Sequence, residues 1–139
     1  MSLFGTLAIA GSGMSAQSER LSAIASNLAN ANTTVGPGDQ PYRAREVVFQ
    51  ALPLNGDDSS AASIGMNGVK VAAVVESNAP MQSVYNPGSS FADAQGYVQM
   101  PNVNPVDEMV NMISAQQDYQ SNLEAFNVAK TLALRTLTI

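Results

Sequence analysis

Two pairs of adjacent carboxylates, Asp57-Asp58 and Asp107-Glu108, are the sequence features best placed to bind a metal or move a proton. Neighbouring residues on a helix do not face each other, so neither pair is a converging acid-base couple by spacing alone. Asp57-Asp58 sits in a Gly- and Ser-rich run, where carboxylates are ordinarily solvated. Asp107-Glu108 follows Asn104-Pro105, where first-turn acids complement the helix dipole. The chain holds no His and no Cys. Disulfides, thiolate or imidazole metal ligation and His-based acid-base catalysis are therefore excluded. The expectation is a protein that is not an enzyme, with no catalytic residue, no cofactor and no metal.

Length and charge narrow the class. A chain of 139 residues is about one domain. Only 12% of it is charged, against about 25% in an average soluble protein. A lone domain needs charge to stay dispersed, so this shortage predicts burial against other subunits. The net charge of -5 and six scattered Lys and Arg leave no basic stripe for phosphates, so nucleic acid is not an expected partner. There is no run of about 18 apolar residues, hence no direct membrane insertion. No Lys or Arg precedes Arg20, so the basic start of a secretory signal is missing and no cleaved signal peptide is expected.

Composition divides the chain into residues 1–32, rich in Ala, Ser, Leu and Asn; residues 33–104, with six of the seven prolines; and residues 105–139. The two ends read as helices and the middle as a small β-rich module with loops. Strands are expected at Tyr42 to Leu52, Val69 to Glu76, Ser83 to Tyr85 and Gly96 to Met100. Turn clusters separate them, one from Val35 to Pro41 and another from Asn55 to Gly68, the second expected to be mobile.

In the first helix Leu7, Met14, Leu21 and Leu28 recur every seven residues, flanked by Leu3, Ala10, Ile24 and Ala31, with Gln17 interrupting that second row. This is a heptad seam. Gly11 and Gly13 each cost about 1 kcal/mol relative to Ala, so the segment needs a partner to stay helical. In the last helix Met109, Met112, Gln116, Tyr119, Leu123, Phe126, Lys130, Ala133 and Leu137 follow alternating steps of three and four. Asn104 is placed as N-cap and Pro105 at the first helical position. The expected fold is α+β, with two long terminal helices paired as an antiparallel coiled coil and the β module between them. So thin a core predicts that further chains complete the burial.

The run Ala25-Ser26-Asn27-Leu28-Ala29-Asn30-Ala31-Asn32-Thr33 resembles the N-terminal motif of the flagellar rod, hook and related axial proteins. A helix ending in an Asn-rich cap would also produce it. Further segments resemble the proximal rod type in family order: Gln40-Pro41-Tyr42-Arg43-Ala44, Val47-Val48-Phe49-Gln50, Gly68-Val69-Lys70-Val71, Tyr85-Asn86-Pro87-Gly88, Ala92 to Val98, Met100-Pro101-Asn102-Val103, Glu108-Met109-Val110 and Tyr119-Gln120-Ser121-Asn122. The chain departs from the pattern at Gln117, where Arg is common, and from Leu54 to Gly65. The short middle matches the proximal rod type better than the hook and distal rod, whose central domains are larger.

The resemblance implies a structural subunit of the bacterial flagellar basal body, whose helices build the inner tube of the axial structure and transmit torque, with the β module outside. It implies passage through the flagellar type III export apparatus without cleavage and assembly in the periplasmic space with copies of itself and other rod proteins. Stripes and motif together nominate a subunit interface of Leu7, Met14, Leu21, Ile24, Asn27, Leu28, Asn30, Met109, Met112, Ile113, Tyr119, Leu123, Phe126 and Leu137. Seven methionines suit contacts that must fit slightly different neighbours. The alternatives are another proximal rod subunit type and a soluble helical adaptor or export chaperone; the strands of the middle weigh against an all-helical chaperone.

Overall fold

The computed structural model describes residues 3–36, 38–54 and 67–137. Along the chain these form α1 (Leu3–Asn30), β1 (Arg45–Pro53), β2 (Asn67–Glu76), β3 (Gln82–Tyr85), β4 (Tyr97–Met100) and α2 (Pro105–Leu137). The expected helices and strands are all present, with ends shifted by a few residues. The connection 55–66, expected to be mobile, lies outside the described residues.

The helix ends follow local chemistry. Asn104 caps α2: its side-chain oxygen accepts the Val106 N–H at 3.1 Å, its amide donates to Asp107 at 2.8 Å, and its carbonyl accepts the Glu108 N–H at 3.0 Å. At the end of α1 the Asn30 amide donates to the Ser26 carbonyl at 2.8 Å, and the Thr33 N–H donates to the Asn30 carbonyl. The second bond satisfies a carbonyl that a helix end otherwise leaves open.

The strands make two separate antiparallel hairpins, β1 with β2 and β3 with β4. In the first, Arg45 pairs with Glu76 and Pro53 with Asn67, with a bulge between Val48 and Phe49. A two-stranded hairpin is marginal alone. This one rests on α1, where the Ser12 hydroxyl donates to the Ile9 carbonyl at 2.7 Å and accepts the Val69 N–H at 3.1 Å. Gly68 is buried there; a Cβ on it would lie 2.7 Å from the Ser12 oxygen, so only glycine permits the approach.

Burial is thin. Six of the nine buried apolar residues among those described are alanines: Ala10, Ala16, Ala31, Ala44, Ala115 and Ala129. Ala31, Ala44 and Val103 cluster with Tyr42 where the end of α1, the approach to β1 and the approach to α2 meet.

The helices pair antiparallel, as expected: Gly13 meets Asn122, Arg20 meets Asp118 at 3.8 Å, and Asn27 meets Glu108 at 3.3 Å. The rows in contact are not quite those of the apolar periodicity. On α1 the row Ala10, Gln17, Ile24, Ala31 enters the seam as expected, but its companion is Gly13, Arg20, Asn27 and not Leu7, Met14, Leu21, Leu28. On α2 the half-buried Met112, Tyr119, Phe126 and Ala133 are joined by Glu108, Ala115, Asn122 and Ala129, while Met109, Gln116, Leu123 and Lys130 stay exposed. Small side chains allow the backbones to approach, and the β1–β2 hairpin draws the seam towards its own side. Gly13, Gln17 and Asn122 line a cleft with Phe49 and Val69, and Glu108 and Asn111 line another with Arg45 and Val47.

Candidate assembly surface

Asn27 is the node that fixes the helix pair to the rest of the chain. It is 2% exposed. Its amide donates to the Arg45 carbonyl at 2.9 Å and to Glu108 Oε2 at 3.3 Å. Its oxygen accepts the Arg45 N–H at 2.8 Å and the Tyr42 hydroxyl at 2.9 Å. Both donors and both acceptor positions are used, so the buried amide carries no unmet demand. Since Tyr42 spends its proton on Asn27, Ser26 donates to the Tyr42 oxygen across 3.1 Å. The Arg45 guanidinium lies 5.7 Å from the centre of the Tyr42 ring, within cation–π range.

A second asparagine closes the base of the β1–β2 excursion. Asn102 Oδ1 accepts the Ala44 N–H at 2.8 Å, and its amide donates to the carbonyls of Ser77 and Ala79 at 3.3 and 3.1 Å. Ser77 N–H completes the clasp to the Ala44 carbonyl at 2.7 Å. Segments far apart in sequence that carry the family resemblance, around Asn27, Tyr42, Asn102 and Glu108, therefore converge on one junction.

The junction sets which helix faces remain outside. The hairpin occupies the side of α1 that carries Ser12, Ala16, Glu19 and Ala23. Helical geometry then puts Leu7, Met14, Leu21 and Leu28 on the opposite flank, half-buried, beside the exposed Met109 and Leu123 of α2. Twelve of the fourteen nominated residues thus fall into three groups. Leu7, Met14, Leu21, Leu28, Met109, Ile113 and Leu123 offer apolar surface outward. Met112, Tyr119 and Phe126 lie at the seam edge, and Ile24 and Asn27 are spent inside the chain. Asn30 is half-buried and caps its own helix. The side chain of Leu137 lies outside the described residues.

Exposed Val106 and Val110, together with Val128 and Leu132, were not among the nominated positions. The first two complete an i, i+3, i+4, i+7 pattern with Met109 and Ile113 that is visible in the sequence. That ridge lies apart from the longer run from Met109 to Leu137 and shares only Met109 with it. Among the described residues no group of three or more His, Cys, Asp or Glu side chains is arranged to hold a metal. No helix there is long and apolar enough to cross a membrane.

Residues 7–37 match the family described as flagella basal body rod protein, and residues 94–139 match the flagellar basal body rod FlgEFG protein C-terminal family. Proteins named flagellar basal-body rod protein FlgC are similar over the full length. The one from Salmonella typhimurium is 51% identical, covering 100% of this chain and 98% of the relative. The one from Yersinia enterocolitica is 49% identical with the same coverage. That from Bacillus subtilis is 36% identical, covering 100% and 99%.

Proposed function

The chain belongs to the family of flagellar basal-body rod proteins, in its FlgC branch, and from that premise we propose that it is a structural subunit of the proximal rod that polymerises through its terminal helices to transmit torque. It does this without catalysis. One observation carries the reading: the flank of the helix pair opposite the hairpin offers Leu7, Met14, Leu21 and Leu28 beside Met109 and Leu123, with no charge among them. A monomer gains nothing from such a flank, whereas a tube wall covers it on assembly.

Its partners are copies of itself and other rod proteins. Heterologous contacts between such chains generate a helical stack instead of a closed ring. The chain reaches the periplasmic space through the flagellar type III export apparatus, uncleaved, and residues 33–104 face outward from the tube. Weak intrachain burial suits this route, because helices of low autonomous stability unfold readily for passage and regain order when neighbours cover them.

Swimming assays in a strain dependent on this chain test the proposal. Leu21→Asp or Leu28→Asp places a carboxylate where the reading puts a neighbour, at a cost of several kcal/mol. Export should persist while swimming and rod assembly are lost. Normal swimming with both substitutions would remove this flank from the assembly.

A further inference from the structure

We draw no further inference here: the strongest candidate, the exposed aromatic patch that Tyr85, Phe91 and Tyr97 form on the β3–β4 hairpin, carries nothing because nothing in the structure shows what covers it.

Discussion

Gly13 of α1 and Asn122 of α2 touch so closely that a Cβ at position 13 would lie 2.9 Å from the Cγ, Oδ1 and Nδ2 atoms of the amide. Asn122 cannot swing away freely, because its Nδ2 donates to the Asp118 carbonyl at 2.9 Å. Gly13→Ala should therefore destabilise the chain by about 1 kcal/mol net, although Ala is favoured over Gly by about that amount in an open helix. Adding Asn122→Ala should restore or exceed the original stability. Thermal unfolding followed by circular dichroism reads both; a stabilised single variant would show the seam to be loose.

Asn27→Ala removes four hydrogen bonds and leaves the Arg45 N–H and carbonyl without their partner. The loss should be about 3 kcal/mol or more, since buried groups left unpaired cost more than a bond gains. Hydrogen exchange provides the local readout: the Arg45 amide should lose protection before the amides in the middle of β1. Unchanged protection there would contradict the clamp.

Gln17 presents the reverse case. Its Oε1 is buried with no partner, and its Nε2 reaches Asp118 only at 3.5 Å. Gln17→Met keeps the length and removes the unmet acceptor, so the unfolding midpoint should rise, by about 1 kcal/mol in free energy. A lower midpoint would mean that the amide has a partner in solution.

Gly96 turns the chain into β4 with φ of +85°, and a Cβ there would meet the Tyr85 ring at 2.9 Å and Pro87 at 3.2 Å. Gly96→Ala should cost about 1–2 kcal/mol from backbone strain and displace Tyr85. Tyr85 and Tyr97 now meet edge to face with centroids 5.3 Å apart, so the near-ultraviolet dichroism of tyrosine should weaken. An unaltered signal would show that the turn accepts a side chain without moving the ring.

Much of the architecture was legible because it depends on local chemistry. Asn104-Pro105 with Asp107 marks the start of α2, and the Val-rich segments around Phe49 and Val71 mark β1 and β2. The pairing row was less legible. Leucines every seven residues announce an apolar stripe but not whether its cover comes from the same chain. Beside Ala10, Ile24, Met112 and Phe126, which the periodicity marks, the intrachain seam uses Gly13, Asn27, Ala115 and Asn122, residues with little hydrophobic signal. Gly13 reads as a helix weakener, yet it permits close approach. Asn27 reads as part of a helix end, a role that Asn30 fills; its actual partners are 15, 18 and 81 residues away.

The Asn102 clasp gives the middle of the chain a consequence for how such subunits vary. Ala44 and Ser77 are joined directly and share Asn102, so the excursion through β1 and β2 leaves and returns at one point beside the helices. From there the hairpin runs along α1, from Arg45 beside Asn27 to Val69 beside Ser12, so it is tethered to the same helix at both ends of that stretch. Sequence change between those two tethers can therefore accumulate on the strands while the junction that holds the helices keeps its geometry.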